Sequence, residues 1–117
     1  PPFVVRVTLF KSGGGNLVQT LSTIGFSPAV WNHVVATFNN TTKELKVYVN
    51  NNTPDSNTGA GSVPSTTSNL QIGNENASGF FTGSIDQIGF WQNRILSASD
   101  VNLLWNGGAG LSYAAMA

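Results

Sequence analysis

Trp31-Asn32-His33-Val34-Val35-Ala36-Thr37-Phe38, the polar turn Asn39-Asn40-Thr41-Thr42, and the return run Leu45-Lys46-Val47-Tyr48-Val49-Asn50 decide the fold. In the first run Val34, Ala36 and Phe38 share one face, while Trp31, His33, Val35 and Thr37 share the other. Period-two alternation with β-branched residues is the signature of a strand. Apolar residues on both faces predict a central strand. In the return run, from Glu44 to Asn50, Leu45, Val47 and Val49 alternate with Lys46 and Tyr48, so the two runs read as a hairpin.

The same period extends toward the N-terminus. Phe3, Val5, Val7 and Leu9 alternate with Val4, Arg6, Thr8 and Phe10. Lys11-Ser12-Gly13-Gly14-Gly15-Asn16 follows as a turn, and Leu17 to Ile24 returns as a second strand. Gly25 to Pro28 forms a bend. Toward the C-terminus, residues 51–68 are rich in Asn, Thr, Ser, Gly and Pro and are predicted to carry one short edge strand near Val63, bounded by Pro54 and Pro64. Leu70 to Gly73 reads as a short strand and Asn74 to Gly79 as a turn. Phe80-Phe81 and Gly83 to Gln92 read as the last long strand. Ser97-Ala98-Ser99-Asp100 has the pattern of a capping box, with Val101, Leu104 and Trp105 on one helical face and Gly107-Gly108 as the stop. So short a helix must pack on something larger. The pattern predicts an all-β protein, a two-sheet antiparallel β-sandwich (jelly roll) with one short C-terminal helix. One domain is expected over residues 1–108, followed by a small-residue tail over 109–117 that can serve as a linker, an added β-edge or an assembly contact.

Composition narrows the partners. The 117 residues carry zero formal net charge, and 9% of them are charged. The five Lys and Arg are dispersed, which argues against duplex nucleic acid and against an anionic membrane surface. With no cysteine, neither disulfides nor thiolate metal sites can support the fold. No apolar run approaches the ~20 residues of a membrane-spanning helix, and Pro1-Pro2 leads into a strand pattern without the basic start of a signal peptide. A surface built on Asn, Ser, Thr and Gly suits an extracellular or virion-surface location.

Three stretches together resemble the laminin-G-like, concanavalin A-like lectin/glucanase jelly-roll superfamily. The first is the hairpin from Trp31 to Asn50, similar to that family's W-x-H-V-A-x-x-Y … L-x-x-Y-V-D/N-G. The second is Leu70-Gln71-Ile72-Gly73. The third, Phe81-Thr82-Gly83-Ser84-Ile85-Asp86-Gln87-Ile88-Gly89-Phe90-Trp91-Gln92-Asn93-Arg94-Ile95-Leu96-Ser97, is similar to F-x-G-x-I-D-E-V-x-I-Y-N-R-A-L-S. The agreement runs from Val30 to Gly108. It implies the fold more strongly than the function, because this fold hosts lectins, adhesion modules, glycanase domains and virion proteins. It also implies that the usual N-terminal strands are missing ahead of Phe3. Unpaired edges are generally covered, so a neighbouring chain, a homo-oligomer or a further piece of the same chain is expected to complete the sandwich.

Catalysis is not expected. Glycoside hydrolysis needs two carboxyls within roughly 5–10 Å, whereas Glu44, Asp55, Glu75, Asp86 and Asp100 are scattered over turns, loops and a helix cap. No E-x-D-x-x-E run occurs, and no catalytic residue is assigned. His33 reads as a structural strand residue. The candidate ligand-binding residues are Tyr48, taken as an exposed strand aromatic, and the loop residues Asn50, Asn52, Asp55, Asn74 and Glu75, whose amides and acids can hold sugar hydroxyls or a cation. The plainer alternative is that Asn favours turns. Asp86 shares parity with Ile88 and Phe90 and is expected to face inward. There it either accepts hydrogen bonds from a neighbouring turn or Arg94, or ligates a structural Ca²⁺ as in several jelly rolls of this superfamily. Trp31, Trp91 and Trp105 can stack on sugars, although core packing is the favoured reading. Sequons stand at Asn39, Asn40, Asn51 and Asn76, a number chance supplies in an Asn- and Thr-rich chain. Two functions follow: a non-catalytic recognition module that binds carbohydrate or a protein surface through sandwich-end loops, and a structural or decoration domain of a virion or other large assembly.

Overall fold

The computed structural model describes residues 3–74 and 78–116. Its strands are β1 (Arg6–Phe10), β2 (Asn16–Leu21), β3 (Val34–Asn39), β4 (Glu44–Val49) and β5 (Asp55–Thr58). They form two antiparallel sheets, β1-β2 and β3-β4-β5. β2 packs against β4 and β5. This is the all-β, two-sheet architecture read from the sequence, with α1 (Ala98–Trp105) near its C-terminal end. A 3₁₀ turn (Asn106–Gly108) closes the region expected as the domain, and a four-residue helix α2 (Tyr113–Met116) lies in the small-residue tail over 109–117.

The β1-β2 turn depends on its glycines. Gly13, Gly14 and Gly15 all have positive φ, which residues with a Cβ adopt only under strain. Beyond the hairpin, Phe3 bridges to Phe26 and their rings lie 5.6 Å apart. The β3-β4 turn is held by the Asn39 carboxamide oxygen, which accepts from the backbone N–H groups of Thr41 and Thr42.

Two small cores result. Leu17 and Val18 of β2 meet Leu45 of β4, with Val7, Leu9 and Phe38 around them. On the other face of the larger sheet, Val35 and Tyr48 meet Leu96 and Val101, with Leu104 alongside. The helix forms as its sequence requires. Ser97 Oγ accepts from the Asp100 N–H, and the Asp100 carboxylate accepts from the Ser97 N–H, completing the capping box. Asn106, left-handed at φ 47°, caps the C-terminus one residue before the glycines expected to stop it.

Three expectations about strands are corrected. β3 is an end strand, not a central one, and begins at Val34, not Trp31. The third strand of its sheet is β5 at Asp55–Thr58, and Val63 lies outside any strand. β5 forms there because Asn57 Nδ2 donates to the Gln19 carbonyl, and Asp55 accepts from the Thr23 N–H and hydroxyl, fastening the segment to β2. Residues 70–73 and 83–92 form no ladder. Gln87 has a positive φ of 53° in the middle of the second run, and its N–H donates to the neighbouring Asp86 carboxylate, a local bond that competes with a strand ladder. Apolar side chains along both segments stay exposed. The radius of gyration is 14.7 Å, above the roughly 13.4 Å of a compact domain of this length.

Candidate functional site

The β3-β4 register places three cross-strand pairs on one face: Asn39 opposite Glu44, Thr37 opposite Lys46, and Val35 opposite Tyr48. Side chains so paired stand with Cβ atoms about 4.5–5.5 Å apart. The apolar pair is covered by Leu96 and Val101, while the polar pairs face the chain entering α1. Between them lies a cleft of 430 Å³, lined by Thr37, Asn39, Glu44, Lys46, Tyr48 and residues 95–98. Its floor carries hydroxyl, amide, carboxylate and ammonium groups, and its wall is Ile95 and Leu96.

Lys46 Nζ lies 3.4 Å from Glu44 Oε2, both side chains more than a third exposed. A pair this open to water holds weakly, so each group is available to a ligand. Among the described residues Glu44 is the one carboxylate lining the cleft. The wall is fixed by the capping box and by Arg94 Nη2, 2.6 Å from Asp100 Oδ1. The Ser97 N–H and hydroxyl donate to the Asp100 carboxylate and, with Arg94 beside it, hold its pKa below the usual aspartate value.

The residues named from sequence are placed differently. Tyr48 is buried, at 6% exposure, in the second core; it is not the exposed aromatic expected, because β4 is covered on both faces. It still reaches the cleft lining. Asn50 Oδ1 accepts from the His33 N–H, and its Nδ2 donates to Asn32 Oδ1. Asn52 Nδ2 donates to the Val49 carbonyl. These amides hold the sheet end together, as does the Asp55 bond to Thr23. Asn74 is half-buried. Glu75 and the Asn76 sequon lie outside the described residues. Asn51 Nδ2 is engaged by Asn102 Oδ1.

Asp86 is exposed, not inward, because the positive φ at Gln87 breaks the parity that would have turned it to the core. Arg94 pairs with Asp100 instead of Asp86. Among the described residues no three of His, Cys, Asp and Glu stand together as a metal-holding group. A lone exposed carboxylate does not fit the 6–8 oxygens Ca²⁺ takes.

His33 is half-buried against Trp105, ring centroids 5.9 Å apart, and burial lowers its pKa below the ordinary 6.5. Trp105 thus packs as expected. Trp31 does not: it is 67% exposed, immediately before the Asn32–Asn50 amide pair. Trp91 is also exposed. Sequence reasoning missed Thr37, Asn39 and Lys46 as site residues. The signal was available in the hairpin register, which puts all three on the face of Tyr48.

A laminin G family model, described as the concanavalin A-like lectin/glucanases superfamily, matches residues 5–102. The chain belongs to this superfamily, and the match takes in the β1-β2 hairpin ahead of the motifs that first suggested it. The superfamily description spans both sugar-binding and sugar-cleaving proteins. No curated protein and no solved structure gives a significant match.

Proposed function

We propose that this domain is a non-catalytic recognition module that binds carbohydrate in the cleft between the β3-β4 hairpin and residues 95–98. The observation that carries this reading is the polar ladder Asn39–Glu44 and Thr37–Lys46 on the cleft floor. A sugar presents vicinal hydroxyls that both donate and accept. Glu44 can accept from them, Lys46 can donate, and Thr37 can do either, while the Asn39 carboxamide oxygen stays engaged by the Thr41 and Thr42 N–H groups. The volume lies within the ~300–1,000 Å³ usual for small-ligand sites. A near-neutral lining suits a neutral ligand, and the superfamily includes lectins. Glycoside hydrolysis calls for a second converging carboxyl, and Glu44 is the one acid among the described lining residues. The reading places the domain where glycans are displayed, outside the cell or on a virion surface. The cleft takes precedence over the sheet-end loops because Asn50, Asn52 and Asp55 are engaged in holding turns.

Glycan-panel binding with wild type, Lys46→Ala and Trp31→Ala tests this. Loss with Lys46→Ala alone supports the cleft. Loss with Trp31→Ala alone moves the site to the sheet end. The second reading, a packing domain in a larger assembly, draws on the uncovered apolar side chains between residues 63 and 95. Stable oligomers without sugar affinity favour it.

A further inference from the structure

β3 has β4 on one side and, among the described residues, no strand on the other. The uncovered side is apolar: Val34 and Ala36 lie on the face that the β1-β2 hairpin covers over β4, yet both are exposed. An end strand with free N–H and C=O groups and apolar side chains is a template for pairing. Elsewhere in the chain, residues 83–92 combine apolar Ile85, Ile88 and Phe90 with no ladder, and Phe80 and Phe90 are 70% and 71% exposed. The chain therefore presents an uncovered edge and an unpaired strand-like segment.

We propose that a second copy of this chain supplies the missing strand, residues 83–92 of each copy adding to the β3 edge of the other in a two-fold exchange. The uncovered area fits. At about 200 Å² per aromatic side chain, Phe80, Phe81, Phe90 and Trp91 leave roughly 470 Å² uncovered at their stated exposures. Leu70, Ile72, Ile85, Ile88 and Ile95 add roughly 400 Å², so the donated segment together with the apolar residues outside it, Leu70, Ile72, Phe80, Phe81 and Ile95, comes near the ~800 Å² that each partner buries in a standard interface. Charge does not oppose self-association: over residues 78–95 the charged side chains are one acid, Asp86, and one base, Arg94. Reciprocal donation closes the pair without leaving either edge free. This interface shares the β3 residues Thr37 and Asn39, and Ile95, with the cleft lining, whereas Val34 and the donated segment 83–92 lie outside it.

Light scattering of the full chain is the test, with Val34→Lys at the edge and Phe90→Asp in the segment; both sites are exposed, so circular dichroism should report retained folding. Wild type is expected to dimerise. Each variant alone should raise the dissociation constant at least about tenfold, and an equimolar mixture should associate more strongly than either variant alone, because one of its two contacts then joins an intact edge to an intact segment. A monomeric wild type overturns the proposal, including one whose 83–92 amides are protected from exchange, which would mean pairing within one chain. Dimers unaffected by either variant, or variants that fail to complement, would place the contact elsewhere and equally overturn it.

Discussion

Gly59→Ala tests how the two sheets are joined. Gly59 follows β5, where the chain passes directly over β2. A Cβ built on it would clash with the Leu17 carbonyl oxygen and stand 2.7 Å from the Leu17 carbonyl carbon and 2.8 Å from Val18 Cβ. Leu17 and Val18 are buried core residues. None of these atoms is the end of a flexible side chain, so β5 must lift away from β2. Overpacking of this kind costs about 1–3 kcal/mol. Lifting β5 also strains the Asn57 bond to the Gln19 carbonyl, 2.9 Å long, worth about 1 kcal/mol. The expected loss is about 2–4 kcal/mol, or roughly 8–16 °C in Tm at about 4 °C per kcal/mol for a domain of this size. Urea denaturation followed by circular dichroism should show a lower midpoint with an unchanged slope. Ala60→Ser, at the exposed next residue, serves as the control. A Gly59→Ala variant that melts with wild type would refute the close approach of β5 to β2 and the packing derived from it.

Three further outcomes are expected. Ser97→Ala removes the hydroxyl that accepts from the Asp100 N–H and should cost about 1 kcal/mol in thermal or chemical denaturation; unchanged stability would argue against the cap. Asp86→Ala should change stability by no more than about 0.5 kcal/mol, and Ca²⁺ should not raise its melting temperature or that of wild type; a large loss would show that Asp86 is buried or holds a cation. Stability should also depend on pH at two places. Asp100 has a folded pKa depressed below its ordinary 3.8, so its contribution is complete above that value and is lost as pH falls through the folded pKa; Asp100→Asn should flatten the acid limb. His33 has a folded pKa below 6.5, so the unfolded chain binds the proton first and stability should fall as pH drops below that value. His33→Gln should remove this slope, and a slope that persists would place its origin elsewhere.

The elements legible in the sequence are those whose signals are local. The Asn39-anchored turn, the alternation of β4 and the Ser97–Asp100 capping box each state their structure within a few residues, and each forms. β5 was hidden because Asp55-Ser56-Asn57-Thr58 has the composition of a loop; its extended form comes from partners on β2 and β4 that are remote in sequence. The run from Gly83 to Gln92 misled in the opposite way: period two states that a segment can pair, not that an edge is within reach. The same gap explains Tyr48. Alternation with Lys46 marked it as outward, but Leu96 and Val101 cover that face from about 50 residues away. The cleft was partly legible: the hairpin register alone brings Thr37, Asn39, Glu44 and Lys46 together, but the wall at residues 95–98 depends on where the helix docks.

Carbohydrate is proposed to bind on the polar ladder of β3-β4. The most direct measurement is isothermal titration of the best glycan from a panel into wild type, Lys46→Ala, Glu44→Gln and Tyr48→Phe, each confirmed as folded by its melting curve. Wild type should show measurable affinity, with a loss of about tenfold or more, roughly 1.4 kcal/mol, when either Lys46 or Glu44 is changed. No affinity for any glycan, or affinity indifferent to all three substitutions, would contradict this proposal.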